Sequence, residues 1–220
     1  MTILFVLLTF LVVMAITYYT RRGQQPATEQ VVFANAVSPR MMRDYGFEIP
    51  RGYNFHPGHT WVVDEGRQNA RIGLDSFTAN LVGKIDRIEV TGLNRWIRQG
   101  QIVWSITRDG ITFDMVSPVE GVVIAVNPEV QKDPNLAIKD PYKDGWICVI
   151  KSPDLGFNVN NLVRGSLVGP WMQNTVRSVA AMTAQMAGAM AQDGGLPVPG
   201  LLAQVDSILR RVMIKEFFLT

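Results

Sequence analysis

Apolar residues follow three different patterns along the chain, and each pattern predicts a different kind of element. Residues 2–19 form an unbroken run of about 18 residues without a charge. As a helix rising about 1.5 Å per residue, this run is about 27 Å long, which is just enough to cross a bilayer. The pattern therefore predicts a transmembrane anchor over residues 1–22.

The residues that flank this run predict its orientation. Tyrosines at its end fit the headgroup level, and the arginines that follow place the rest of the chain on the cytoplasmic side of the cell inner membrane. A cleaved secretory signal is the alternative, but it requires a basic segment ahead of the apolar run. The residues expected to anchor the chain are Leu4, Phe5, Leu8, Phe10, Tyr18, Tyr19, Arg21 and Arg22.

Residues 23–51 show little periodicity and contain Pro26, Pro39 and Pro50. Such a stretch predicts a tether without a core of its own. It would hold the next domain near the membrane.

Residues 52–153 consist of short runs rich in Val, Ile, Trp and Thr, bounded by Gly, Pro, Asn and Asp. This pattern predicts an all-β domain of short strands. Its strongest local signal is the Asp109-Gly110 pair between two alternating runs, because both central residues of a type I′ turn need positive φ. Asp75 and Gly83 bracket a run with helical spacing and predict one short helix.

Residues 154–220 predict two C-terminal helices. The first runs from Trp171 to Gln192 and spaces three methionines four residues apart, and the second runs from Leu201 to Phe218 and is amphipathic. These apolar faces fit three roles: packing on the chain's own β-domain, contact with a protein partner, or, for the basic last helix, contact with a lipid bilayer.

Composition and charge exclude several kinds of chemistry. The chain has 220 residues, of which 47% are apolar, with one Cys, two His and a net charge of +2. These counts argue against a disulfide framework, a cysteine-rich zinc site and a nucleic-acid surface. His56 and His59 lack a third histidine and fit packing at a strand start, and Cys148 fits a packed strand position. We expect no catalytic residue, no metal and no cofactor, because no acid–base pair or phosphate-binding glycine motif is present.

Several motifs in residues 53–151 resemble the H protein of the glycine cleavage system. His59-Thr60-Trp61 stands where that family has a His-Glu-Trp start, and residues 72–77 and 81–85 resemble its strand-to-helix region. Residues 117–123 resemble the turn after the family's lipoyl hairpin, and residues 126–151 resemble its closing segment. The resemblance implies a mainly β fold, a flattened β-barrel sandwich of the lipoyl-carrier type, here joined to one N-terminal transmembrane helix and C-terminal α-helices.

The same resemblance shows what this chain lacks. The family carries lipoyl on a lysine at a hairpin tip, and the family's spacing places that position at Gly110. No lysine lies between Lys84 and Lys132. Arg108 is nearby but cannot replace the amine, because a guanidinium stays protonated. The resemblance thus implies a carrier scaffold without its attachment point.

We therefore predict a non-catalytic, membrane-anchored accessory subunit that stabilises a larger integral-membrane complex. A bacterial photosynthetic or respiratory electron-transport complex is a conceivable host that no residue supports. Two alternatives remain open: an unmodified H-protein paralogue that binds lipoyl-pathway or glycine cleavage enzymes, and a protein similar to a periplasmic efflux adaptor. The residues expected to contact a partner are Arg108, Asp109, Met182, Met186, Met190, Leu201, Val205, Leu209 and Val212.

Overall fold

The computed structural model describes residues 10–16, 41–44, 47–184, 186 and 196–219. The chain divides into two compact units, Met1–Val37 and Ser38–Thr220. In the first unit, residues 10–16 are helical and exposed. Over the described ranges, no helix combines the length and apolarity that crossing a membrane requires. The anchor predicted for residues 1–22 falls largely outside these ranges and stays a prediction.

The second unit contains a hairpin where the sequence predicts a tether. Strand β1 (Met41–Asp44) pairs antiparallel with β2 (Phe47–Pro50). Phe47 and Ile49 are buried, and the Phe47 ring meets the Phe77 ring edge-on with centroids 6.0 Å apart. Two apolar residues on either side of one glutamate are too short a pattern to be distinguished from a loop. The predicted tether over residues 23–51 is therefore wrong for these two strands.

The larger sheet has six antiparallel strands. They are β3 (Asn54–Phe55), β4 (Thr60–Asp64), β5 (Asn69–Leu74), β7 (Trp96–Ile97), β10 (Gly121–Val126) and β11 (Cys148–Lys151). Their order is β3-β4-β5-β11-β10-β7, so the last strand of the chain lies inside the sheet and β7 lies at its edge. Strand β11 is paired on both sides, and its run Cys148-Val149-Ile150 is buried without alternation.

A smaller sheet positions the predicted hairpin. It contains β6 (Arg87–Val90), β8 (Ile102–Arg108) and β9 (Ile111–Val116), in the order β6-β8-β9. These strands fall on the runs of Val, Ile, Trp and Thr, and the prediction of a mainly β domain is confirmed.

The one helix predicted inside the β-domain forms where its capping residues place it. Helix α1 (Ser76–Val82) begins after Asp75, whose Oδ1 accepts a hydrogen bond from the Thr78 N–H at 2.8 Å. It ends at Gly83, which adopts the left-handed conformation with φ 72°. Both caps follow from local chemistry alone, which is why the sequence predicts this helix well.

Two of the remaining described helices have twelve or more residues, and both lie beyond residue 160. In chain order, the remaining helices are α2 (Pro128–Lys132), α3 (Leu136–Lys139), α4 (Leu155–Asn160), a 3₁₀ turn (Gly165–Leu167), α5 (Val168–Met182), α6 (Leu201–Gln204) and α7 (Ser207–Phe218). The first C-terminal helix thus begins earlier than predicted and ends at Met182. The second is interrupted after Gln204, because Asp206 caps a new helix by accepting from the N–H groups of Ile208 and Leu209.

The core of the second unit combines both sheets, α1 and the C-terminal helix. Trp61 is fully buried, and its indole N–H donates to the Leu74 carbonyl at 2.7 Å. The largest fully buried side chains are Trp61, Trp104, Tyr142, Phe55, Phe77, Phe218, Ile72, Leu74, Leu81, Ile85, Ile97 and Ile106. Each such side chain contributes about 1.5–3 kcal/mol of burial free energy. Since Phe218 is among them, the C-terminal helix is part of this core.

Candidate functional site

The candidate site is the tip of the β8–β9 hairpin, because the resemblance predicts the family's lipoyl position at Gly110. Arg108 pairs with Ile111 across the strands, which leaves a loop of two residues. Asp109 has φ 48° and Gly110 has φ 76°. Two positive φ values in a two-residue loop are the signature of a type I′ turn. The predicted hairpin is confirmed to the residue.

Backbone conformation, rather than lack of space, favours glycine at position 110. A Cβ atom built on Gly110 would meet no other atom within 4 Å, so the tip is open to solvent. The positive φ would still strain any larger residue by about 1–2 kcal/mol. The tip presents the Asp109 carboxylate and a bare backbone, and no amine.

The Arg108 side chain turns away from solvent and ties three segments together. It donates hydrogen bonds from Nη1 to the Val82 carbonyl, at the end of α1, and to the Gly200 carbonyl at 3.5 Å. Its Nε lies 3.2 Å from Oδ2 of Asp109. Gly200 also donates its own N–H to the Asn80 carbonyl at 2.8 Å. Arg108 therefore attaches the hairpin to α1 and to the C-terminal segment, and only Asp109 of the two predicted tip contacts is fully exposed.

An ion pair between Lys84 and Asp86, which the sequence did not predict, holds the backbone of the turn. Oδ2 of Asp86 accepts the Asp109 N–H at 2.7 Å, and its Oδ1 lies 2.8 Å from Nζ of Lys84. The hydrogen bond to Asp86 raises the pKa of Lys84, and the same bond lowers the pKa of Asp86. Lys84 is therefore held beside Asp86 as a protonated ammonium.

No sequence signal could have placed Lys84 beside residue 109. Their proximity depends on the pairing of β6 with β8, in which the Asp86 N–H donates to the Thr107 carbonyl at 2.9 Å. That pairing joins segments about 20 residues apart, so spacing along the chain does not reveal it.

The C-terminal helix covers the face of the smaller sheet next to the hairpin. The Phe218 ring stacks on Phe113 of β9, with centroids 5.0 Å apart and planes inclined by 15°. Phe217 meets Phe77 of α1 edge-on at 5.2 Å. Of the three roles left open for this helix, packing on its own β-domain is the one observed for its buried side.

Comparison with known proteins identifies the family. Residues 53–169 match the sequence pattern of the glycine cleavage H-protein family, which is just over half of the chain. The chain belongs to the glycine cleavage H-protein family. The resemblance stated from the motifs is confirmed, and so is the β-rich sandwich that it implied.

Individual relatives are themselves named glycine cleavage system H proteins. The glycine cleavage system H protein of Thermus thermophilus is 28% identical over 109 residues, which cover 50% of this chain and 84% of that protein. A probable mitochondrial H protein of Dictyostelium discoideum is 32% identical over 43% of this chain and 64% of its own length. A crystal structure of an H protein from Mycobacterium marinum is 18% identical, covers 57% of this chain and 98% of that one, and superposes with a TM-score of 0.49.

The buried histidine of this H-protein domain is a packing residue. Nδ1 of His59 lies 2.6 Å from Oδ2 of Asp75, and both side chains are almost fully buried. The ring stacks on Trp171 at 4.7 Å and lies against Phe77 at 4.3 Å. Among the described residues, no cluster of three His, Cys, Asp or Glu side chains could hold a metal ion. The sequence predicted a packed histidine but gave no sign of its carboxylate partner 16 residues away.

The side chains of His56 and Cys148 are uncharged at neutral pH. His56 accepts the Gly58 N–H at Nδ1, and burial lowers its pKa from 6.5 to about 4. Cys148 is buried in β11, and burial raises the pKa of its thiol. His56 is a neutral imidazole whose Nδ1 is occupied by the Gly58 N–H, and Cys148 is a buried neutral thiol.

The H-protein domain and its extension bury several residues that were predicted to contact a partner. Leu201 and Val205 lie in the core, so their assignment to a contact surface is wrong. Met182, Met186 and Leu209 are partly buried and pack against that core. Val212 is 48% exposed. Met190 lies outside the described residues.

The predicted anchoring residues fall almost entirely outside the described ranges. Phe10 is described and is 67% exposed. The others lie outside: Leu4, Phe5, Leu8, Tyr18, Tyr19, Arg21 and Arg22.

Proposed function

We propose that this protein is a non-catalytic H-protein paralogue that carries no lipoyl group and acts as a binding module for enzymes that recognise an H-protein domain. One observation carries the proposal: the two-residue turn at the hairpin tip is Asp109-Gly110, with both residues at positive φ. A tip without an amine has nothing to acylate. The H-protein fold is kept, so its surface can still bind the proteins that recognise this fold.

The nearest alternative amine supports the same conclusion. Lys84 is engaged with Asp86, which itself holds the turn through the Asp109 N–H. Acylation of Lys84 would remove its positive charge and break this pair. The tip is therefore better suited to polar contacts with a partner than to a covalent arm.

The family name indicates the class of partner. The relatives are glycine cleavage system H proteins, and the H-protein family consists of carriers rather than catalysts. An unmodified member can still occupy the surface on which an enzyme accepts its carrier. This reading takes precedence over the membrane-anchored accessory subunit, because the family match supports it directly and nothing in the comparisons bears on a photosynthetic or respiratory host.

Direct binding tests this proposal. The full-length chain is immobilised, and the purified glycine cleavage decarboxylase, the transferase and the lipoyl-attaching enzymes of the same organism are passed over it. We expect at least one to bind saturably and to be displaced by an H protein that has the tip lysine. Absence of binding by all of them, while they bind that H protein, would contradict the proposal.

A charge reversal at the tip sharpens this test. Asp109→Arg places a cation at the exposed turn and is expected to weaken binding by about tenfold. Asp144→Arg, which reverses an exposed carboxylate ahead of β11, is the matched control and is expected to leave binding unchanged.

A second candidate function rests on the first unit. Residues 10–16 form a helix whose apolar side chains are exposed, among them Phe10, Leu11 and Ile16. A helix with no polar face favours a lipid or protein environment, in line with an inner-membrane subunit whose larger unit is cytoplasmic. Native electrophoresis after mild detergent extraction tests it: co-migration with a larger membrane complex supports this role, and migration as a lone chain contradicts it.

The efflux-adaptor alternative has no support. Such adaptors insert a long helical hairpin into the β-domain, whereas the helices described between residues 53 and 151 are four to seven residues long.

A further inference from the structure

Three large apolar side chains lie exposed between the end of β6 and the start of β8. Leu93 is 54% exposed, Trp96 51% and Ile102 45%. Exposed tryptophan is uncommon on a protein surface that has no partner, because the side chain carries a large apolar area. Together with Arg95 and Arg98, these residues are called the Trp96 patch below.

The backbone of this patch is held rigidly. The Asn94 N–H donates to the Val123 carbonyl at 2.8 Å, and the Val123 N–H returns a bond to the Arg95 carbonyl at 3.1 Å. Trp96 itself pairs with Val122 of β10. Trp96 is thus presented by the edge strand, and Leu93 and Arg95 lie in the hydrogen-bonded turn that leads into it. A preorganised surface loses little entropy on binding.

The patch itself carries two arginines, and Glu120 is an acidic residue beside it, because its neighbour Gly121 pairs with Ile97. Arg95 and Arg98 are exposed, and within the described part of the chain neither forms an ion pair. From Thr91 to Arg108 the sequence contains no Asp or Glu. The facing strand β10 contains none either. Tryptophan and arginine together are the residues most enriched where binding energy concentrates in protein interfaces.

The strand that carries the patch also has a free edge. β7 is the last strand of the six-stranded sheet and is paired with β10 on one side only. A second copy of this chain is a poor occupant, because antiparallel pairing of two β7 edges would oppose arginine with arginine. A bilayer is the alternative occupant that the vesicle measurement below distinguishes.

We propose that the Trp96 patch is a docking surface for an extended acidic segment of a protein partner, in which apolar residues alternate with carboxylates. The carboxylates would pair with Arg95 and Arg98 while the apolar residues cover Leu93, Trp96 and Ile102. The inference rests on the proposed function in one respect, since it assumes that the domain is a binding module. It places the contact at the opposite end of β8 from the hairpin tip.

A defined peptide tests this surface. The probe is acetyl-Glu-Val-Glu-Leu-Glu-Val-Glu-amide, and its matched control replaces every Glu by Lys. Binding to the full-length chain is followed by isotope-edited NMR or by calorimetry at two salt concentrations. We expect the acidic peptide to bind, to perturb the Trp96 indole and to weaken as salt rises, and the basic peptide not to bind.

Two variants and one control make the result specific. Arg95→Glu with Arg98→Glu, and separately Trp96→Ala, are expected to lower the affinity by about tenfold or more. Arg164→Glu with Arg177→Glu, which reverses two exposed arginines elsewhere, is expected to change it little. Equal affinity in the Arg95/Arg98 variant, or equal binding of the basic peptide, would overturn the proposal. Patch-dependent binding of phosphatidylglycerol vesicles in place of the peptide would also overturn it, in favour of a membrane surface.

The two proposals fail separately. Lipoylation of a chain that still binds the acidic peptide would remove the proposed function and leave the docking surface. An unmodified chain that ignores the peptide would remove the docking surface alone.

Discussion

The carboxylate of Asp75 serves two buried donors at once. Its Oδ1 caps α1 through the Thr78 N–H, and its Oδ2 pairs with Nδ1 of His59. Because all three groups are buried, water cannot replace the carboxylate when it is removed. Asp75 therefore links the start of β4 to α1, the helix whose Val82 carbonyl accepts the hydrogen bond of Arg108.

Removal of this carboxylate is expected to be costly. Asp75→Ala should lower the free energy of unfolding by about 2–4 kcal/mol, because it leaves a helix N–H and a histidine N–H unpaired. The matched variant Asp206→Ala removes the exposed cap of α7 and should cost less. Urea unfolding of both variants measures the difference, and equal losses would contradict the role assigned to burial.

The buried imidazole of His56 predicts a pH dependence. Its pKa is lowered from 6.5 to about 4 by burial and, to a smaller extent, by His59. Between these two values the unfolded chain binds a proton that the folded chain does not, so stability should fall as the pH drops from about 6.5 to about 4.

The contribution of His56 is isolated by substitution. His56→Gln keeps an acceptor for the Gly58 N–H but does not titrate. The urea midpoint of this variant should change less over the same pH range than that of the natural chain. Parallel profiles would show that His56 titrates normally in the folded state.

At the scale of elements, α7 is the feature that most changes the expected role of the C-terminal extension. Its inner face delivers Phe217 and Phe218 to the core, whereas Ile208 is 78% exposed on the same helix. One face of α7 thus belongs to the core, and the opposite face belongs to the protein surface. Its outer side, with Ile208 and Val212, remains available to a partner.

Truncations on the two faces of α7 should separate these roles. Phe218→Ala is expected to lower the free energy of unfolding by about 3–5 kcal/mol, because it empties a packed site against Phe113. Ile208→Ala should change it by no more than about 0.5 kcal/mol. Urea unfolding measures both, and a small loss for Phe218→Ala would mean that the helix is only loosely docked.

Local chemistry decided which elements the sequence could predict. Asp75, Gly83 and the Asp109-Gly110 pair each fix the conformation of their own neighbours, and all three features formed where expected. The break after Gln204 and the burial of Leu201 depend on what the helix meets in space. An amphipathic helix has the same sequence pattern whether its apolar face packs on the core or binds another protein. The sequence therefore could not show what covers this face.

At the hairpin tip, too, some features follow from the local sequence and others only from the fold. The absence of a lysine at the tip follows from counting residues, whereas the contacts of Arg108 with Val82 and Gly200 follow from a fold that brings residues 82, 108 and 200 together. A long basic side chain near a turn predicts an exposed contact by default. Here the backbone carbonyls of Val82 and Gly200 accept its hydrogen bonds, so the side chain turns inward.

For the whole molecule, the central claim is that an H-protein scaffold has lost its carrier function and kept its surfaces. The hairpin end offers Asp109 without an amine, and the far end of β8 offers the Trp96 patch. Two separated surfaces, one on each sheet, suit a protein that holds neighbours together.

The most direct measurement is the intact mass of the full-length chain produced with a lipoate–protein ligase and lipoate, beside the variants Gly110→Lys and Lys84→Arg. We predict that the natural chain keeps its unmodified mass and that Gly110→Lys gains one lipoyl group, since a side chain at that position meets no neighbour within 4 Å. A lipoyl group on the natural chain, lost in Lys84→Arg, would contradict the account.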